Sequence, residues 1–156
     1  MKRNIILYGI FFMISIFSAN LQATTDSEIC SNGKRTLQTL GIKVIEVQIA
    51  DGRAKGGERS LIVTFTTNNN SKEHGPELVK IFELCYVLNN RMSANLDSVV
   101  AVAGNASGKA RAIITVKRKD IEWFMTTKNV KGYLKRWTVS LLDRTYLPIL
   151  SSNMGW

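Results

Sequence analysis

An internal duplication with an offset of 52 residues constrains the fold of this chain more than any other feature. At this offset Gly52 aligns with Gly104, and Arg59 aligns with Arg111. The other matches at this offset are Ala54 with Ala106, Gly56 with Gly108, Ile62 with Ile114, Leu78 with Val130, Ile81 with Tyr133, Phe82 with Leu134 and Val87 with Val139. Because one offset matches both a glycine-containing hairpin and the segment after it, the pattern predicts two β-β-α units in tandem. Coincidence between two glycine turns is the alternative.

Hydrophobic periodicity places the elements of each unit. Alternating or β-branched apolar residues predict four strands, at 42–49, 60–67, 98–103 and 112–117. Helical spacing predicts an N-terminal helix that ends at Gly41, a central helix over 77–91 and a last helix over 128–143. The predicted fold class is therefore α+β. We expect a two-layer sandwich whose four-stranded antiparallel sheet is built from the tandem units, with an extra N-terminal helix.

The first 23 residues have the layout of a secretory signal peptide. Lys2 and Arg3 precede an apolar run over 5–17, and Ala23 offers a small residue at the cut. The run is shorter than the roughly 20 residues that a membrane span needs, although an uncleaved anchor is the alternative. We therefore expect residues 24–156 to form a single exported domain, periplasmic or secreted, with no transmembrane span after cleavage.

The two cysteines of the chain are Cys30 and Cys85. In an exported protein an even pair predicts a disulfide, and this one would join the first helix to the central helix. Two buried free thiols are the alternative.

Positive charge is concentrated in the last part of the chain. Residues 109–144 hold ten basic and three acidic residues, whereas the full chain has a net charge of +9. Such an asymmetry attracts anionic partners, although a solvated basic surface is the bland alternative. The predicted ligand-binding residues are Lys128, Lys131, Lys135 and Arg136 on the last helix, supported by Lys117, Arg118 and Lys119.

Catalytic patterns are weak in this sequence. His74 is the single histidine, and no nucleophile elbow or metal-binding motif accompanies it. We therefore expect no metal and no cofactor, name no catalytic residue, and regard an enzyme as less favoured than a binding protein without excluding it.

Three functional hypotheses follow. The first is an exported binding module that engages an anionic envelope component or an acidic protein surface through the basic last helix. The second is a structural or assembly component of an envelope or secretion complex, which docks by strand addition at a sheet edge. The third is a small hydrolase of envelope polymer that uses paired carboxylates. Export disfavours a nucleic-acid partner, and the sequence leaves the oligomeric state open.

Overall fold

The computed structural model describes residues 24–66 and 74–143. Four helices and five strands follow one another in these ranges. In chain order they are α1 (Asp26–Thr39), β1 (Val44–Asp51), β2 (Arg59–Thr66), α2 (His74–Met92), β3 (Ser98–Gly104), β4 (Ala110–Lys117), α3 (Arg118–Thr127), α4 (Val130–Leu134) and β5 (Thr138–Leu141). The predicted signal peptide and the tail after Asp143 lie outside the described residues.

Local chemistry explains where several elements begin. At the start of α1, the Thr25 hydroxyl accepts from the Glu28 N–H and the Glu28 carboxylate accepts from the Thr25 N–H, which is a capping box. Asn129 caps α4 by accepting from the Gly132 N–H at 2.9 Å. Between β1 and β2, Gly56 has a φ of 73°, a conformation that glycine adopts without strain.

The five strands form one mixed sheet in the order β1-β2-β3-β4-β5. The β1–β2, β3–β4 and β4–β5 pairs are antiparallel, and the central β2–β3 pair is parallel. The α+β class is confirmed, but the predicted four-stranded antiparallel sheet is wrong in two respects. The 19-residue helix α2 carries the chain back along the sheet, so β3 runs in the same direction as β2. A fifth strand is added at the outer side of β4.

The helices cover one face of this sheet and form a single core with it. Side chains alternate along β2, where Leu61, Val63 and Phe65 are fully buried and Ile62 and Thr64 between them are half-buried. The same alternation continues across β3 and β4. The two-layer arrangement therefore follows from the period-2 pattern of the strands.

The predicted last helix over 128–143 is not formed. The chain leaves α3 through Lys128, whose φ of 53° ends that helix, and then makes only the short helix α4. Trp137 is buried against Phe82, with ring centroids 4.9 Å apart. Residues 138–141 then pair with β4, which suits the β-branched Thr138 and Val139.

Candidate binding surface

The seven predicted binding residues do not share one helix face. Lys117 ends β4, while Arg118 and Lys119 begin α3. Lys128 caps the C-terminus of α3, Lys131 lies in α4, and Lys135 and Arg136 lie in the turn before β5. All seven are exposed. They are distributed around α3 and α4. Three of them form ion pairs with carboxylates.

Three of these cations are held in ion pairs. Lys117 Nζ lies 2.5 Å from both carboxylate oxygens of Glu58, and this pair lowers the pKa of Glu58. Arg118 Nε donates to Glu122 Oε1 at 2.7 Å, one helical turn away. Because both pairs are nearly half exposed, each contributes little to stability.

Arg136 forms the third pair and is the most firmly positioned of the seven. Its Nη1 donates to Asp120 Oδ1 at 2.9 Å, and the Asp120 side chain is only 10% exposed. Its guanidinium carbon also lies 4.1 Å from the centroid of the Trp123 ring. On Trp123, the Cη2 atom would be only 2.6 Å from a Cβ added to Gly132. Glycine at 132 therefore lets Trp123 and Arg136 pack against α4.

The remaining four residues, Lys119, Lys128, Lys131 and Lys135, we call the unpaired lysines. None of them forms an ion pair with a carboxylate in the ranges that the structure describes. The ammonium of Lys128 lies 5.5 Å from the Phe124 ring centroid and 3.7 Å from Met125 Sδ. Lys131 and Lys135 are four residues apart and so lie on one side of α4. These four charges are available to a partner.

A buried cluster of aromatic residues packs beneath this surface. Phe124 stacks on Tyr133 with ring centroids 4.3 Å apart, and Tyr133 meets Trp137 edge-on at 5.5 Å. Tyr133 is fully buried, and burial raises the pKa of its phenol far above the usual range. Because α4 has only five residues, the packing of Tyr133 against Phe124 and Trp137 is what holds it in place.

A shallow groove of about 380 Å³ lies beside these residues. It is lined by Glu58, Asp97, Lys117, Arg118, Lys119 and Glu122. Glu58 and Glu122 are bound by the cations described above, and Asp97 Oδ2 accepts from the Arg59 N–H at 2.8 Å. Each carboxylate of the groove is therefore already engaged by a donor.

Sequence reasoning missed a buried network around Arg59. The guanidinium donates to Asp26 at the start of α1, to Asp51 at the end of β1 and to the carbonyl oxygen of Ala94. Hydrogen bonds from Arg53 and Arg59 lower the pKa of Asp51 strongly. We call Arg59 with Asp26, Asp51 and Ala94 the Arg59 network.

The internal duplication contains a sequence pattern from which this network could have been predicted. It aligns Arg59 with Arg111, and both arginines are buried, at 8% and 7% exposure. Arg111 also binds a carboxylate, with its Nε 3.3 Å from Asp143 Oδ2. Because buried arginines need partners, their repeat at equivalent strand positions indicates two charge pairs inside the fold.

The predicted disulfide is absent, and both cysteines are free thiols. Cys30 is half-buried on α1, beside Asp26, Arg59 and the backbone of Ile49. Cys85 is fully buried on α2, where Asn89 Nδ2 lies 3.6 Å from its sulfur. The two thiols therefore have different neighbours, and each packs as a small side chain.

Three further observations bear on the class of protein. Comparison with known protein families, with curated proteins and with solved structures found no match. In residues 24–66 and 74–143, no helix has the length and apolar character that crossing a membrane requires. The same part of the chain holds no group of three or more His, Cys, Asp or Glu residues that could bind a metal ion.

Proposed function

We propose that this chain is an exported, non-enzymatic binding domain that engages an anionic ligand or an acidic protein surface. The observation that carries the proposal is the set of unpaired lysines on α3 and α4. They place four positive charges around α3 and α4 without a carboxylate to neutralise them, so they attract negative charge. The signal-peptide pattern of residues 1–23 supports a periplasmic or secreted location.

The structure changes which of the predicted residues carry the proposal. Lys117, Arg118 and Arg136 already have carboxylate partners, so a ligand would have to displace those partners to use the three cations. Lys119, Lys128, Lys131 and Lys135 need no such displacement. We therefore assign ligand binding to the unpaired lysines. Arg136 instead holds the turn after α4 against α3 through Asp120 and Trp123.

The hydrolase hypothesis is less well supported. A general acid must hold its proton near neutral pH, which requires a raised pKa. In the groove, Lys117 instead lowers the pKa of Glu58, and Arg118 binds Glu122. These contacts favour structural carboxylates over a catalytic pair.

A salt-titrated binding panel tests the proposal. The panel holds lipopolysaccharide, anionic vesicles, peptidoglycan, heparin, DNA and polyglutamate. The test variant reverses the four unpaired lysines to glutamate. The matched control reverses four exposed cations elsewhere, Arg35, Lys43, Lys55 and Lys80, so both variants have the same net charge.

The expected result is binding to one class of probe that weakens on the order of 100-fold between roughly 50 and 200 mM salt, as four ionic contacts require. The test variant loses this binding and the control keeps most of it. Equal losses of binding in the two variants would show that binding depends on net charge alone, and would contradict the proposal. Binding that does not change with salt would contradict it.

A further inference from the structure

The two outer strands of the sheet differ in how their free edges are used. On β1, Lys34 Nζ donates to the carbonyl oxygen of Ile45 at 3.0 Å. The Cys30 side chain lies near the backbone of Ile49. Lys34 and Cys30 lie one turn apart on α1, so this helix covers the outer edge of β1 at two points. Covering an edge in this way blocks pairing with another strand.

Among residues 24–66 and 74–143, none covers the outer edge of β5 in this way. Leu142 N–H donates to the carbonyl oxygen of Arg111 at 2.9 Å, which sets the alternation of hydrogen bonds between β4 and β5. In this register Thr138 and Ser140 bond to β4, whereas Val139 and Leu141 turn their N–H and C=O groups outward. Within the described ranges, no residue bonds to these outward groups.

The chemistry around β5 indicates what kind of strand it accepts. Val139 is 42% exposed, and no lysine, proline or bulge interrupts β5. Lys135 precedes the strand by three residues, and Lys131 lies one turn further back on α4. A strand that pairs with β5 and continues past Thr138 therefore comes alongside these two unpaired lysines. A second copy of this chain would bring the same positive charges into the interface, whereas an acidic segment would neutralise them.

We propose that β5 is a docking edge for an extended acidic segment of a partner protein, which adds to the sheet as a sixth strand. The segment's main chain bonds to Val139 and Leu141, and its acidic residues meet Lys131 and Lys135. This inference rests on the proposed function and names the partner as an extended acidic polypeptide. Because only two residues of β5 offer outward groups, main-chain bonding is weak without the charges, and the partner needs both features.

Three capped peptides separate these contributions. The first has three glutamates followed by alternating valine and threonine. The second is the same peptide with N-methyl groups on alternate strand residues, which removes strand pairing and keeps the charge. The third is a polyglutamate of equal charge. Binding of each peptide to the purified protein is measured by fluorescence anisotropy at low salt.

Two matched pairs of variants accompany the peptides. Val139→Pro removes an outward N–H without removing a bond to β4, and Val139→Thr keeps that N–H. Lys131→Gln with Lys135→Gln removes the flanking charges, and Lys43→Gln with Lys55→Gln removes two exposed charges elsewhere. Circular dichroism checks that each variant folds.

The expected result is that the first peptide binds at least tenfold more tightly than the other two. Val139→Pro and the Lys131/Lys135 variant each lose at least tenfold, and their controls lose less than twofold. Equal binding of the methylated and unmethylated peptides would overturn the inference, and the peptides alone give this outcome if Val139→Pro fails to fold. Equal binding of polyglutamate would also overturn it but leave the proposed function standing.

Two other outcomes would overturn the inference. If the protein forms a dimer that Val139→Pro abolishes, the occupant of the edge is a second copy of the chain. If no acidic peptide binds and none of the anionic probes binds either, the proposed function fails together with the inference. Binding of heparin or vesicles without any peptide would overturn the inference alone.

Discussion

The outer strands β1 and β5 lie at opposite edges of one sheet and meet their surroundings differently. β1 has eight residues and is covered by α1, whose Lys34 side chain donates to its backbone and whose Cys30 side chain lies near it. β5 has four residues, and its Val139 is exposed. The longer edge is the greater hazard for aggregation and is covered by a helix, whereas no residue in the described part of the chain covers the short edge.

The Arg59 network offers the strongest way to break this comparison, because it holds the start of α1 against the β1 side of the sheet. Arg59→Ala leaves Asp26 without its cation and the Ala94 carbonyl without its donor, and it leaves Asp51 with Arg53 alone. We expect a loss of about 2–3 kcal/mol in the free energy of unfolding, below the range for wholly buried pairs because Asp26 is half exposed. Urea denaturation measures it.

Arg53→Ala is the matched control for that experiment. Arg53 also binds Asp51, but its side chain is 50% exposed. Its replacement should leave the denaturation midpoint close to that of the parent protein. Similar losses in the two variants would show that Arg59 acts only as a surface charge.

Two glycine-to-alanine substitutions sharpen the comparison, because we expect them to change the free energy of unfolding in opposite directions. Gly132→Ala, near β5, places a Cβ 2.6 Å from the rigid indole of Trp123 and should destabilise the protein by about 1–2 kcal/mol. Gly33→Ala, within α1, places its Cβ at ordinary contact distances, 3.4 Å from Leu84, and removes a glycine from a helix interior. It should stabilise by up to about 0.5–1 kcal/mol.

Thermal and urea unfolding of both glycine variants give the answer. Because the substitutions are chemically identical, the sign of each effect depends on its surroundings alone. A Gly132→Ala protein as stable as the parent would mean that Trp123 can move aside without cost, and the stack that positions Arg136 would lose its support.

Lys34→Met is a smaller change that opens the closed edge. It removes the donor to the Ile45 carbonyl but keeps most of the apolar part of the side chain. We expect a loss of about 0.5–1.5 kcal/mol in unfolding free energy. The larger consequence is concentration-dependent association through β1, which sedimentation velocity detects. Arg35→Met, which alters an exposed neighbour on the same helix, should remain unassociated.

Thiol reactivity gives the smallest effect and reports on α1 directly. Burial raises the pKa of Cys30, and it raises the pKa of Cys85 to about 12. Because only the thiolate reacts, both alkylate slowly at pH 8 and faster as the pH rises towards each pKa. We expect iodoacetamide to modify Cys30 well before Cys85, as mass spectrometry can follow. Failure of both to react until a reductant is added would indicate the disulfide instead.

The hairpins were the part of the fold that the sequence made predictable. Alternation over 42–49 and the β-branched, apolar run over 60–67 locate β1 and β2 to within two residues, and the apolar runs over 98–103 and 112–117 locate β3 and β4 as closely. Those signals are local, because each strand pairs with its neighbour across a short turn. Which strands meet at the centre of the sheet depends on the direction in which α2 returns, and no residue pattern within either hairpin contains that information.

For the binding surface, the sequence predicts which basic residues it contains but not how they are arranged or paired. The helical spacing of Val130, Leu134, Trp137 and Leu141 predicts one helix that carries the basic residues Lys128, Lys131 and Lys135. That spacing proved accidental, since Lys128 ends α3 and Leu141 belongs to β5. Partners distant in sequence, such as Asp120 for Arg136, decided which charges are neutralised.

The parallel pairing of β2 with β3 has a consequence for the order of folding. Each hairpin closes over a short stretch of chain, whereas the pair Thr64 and Val102 joins residues 38 positions apart, as their numbers give. Closing that longer loop costs more chain entropy and depends on α2 having formed. We therefore expect the two hairpins to form early and independently, and their pairing to be the slower step.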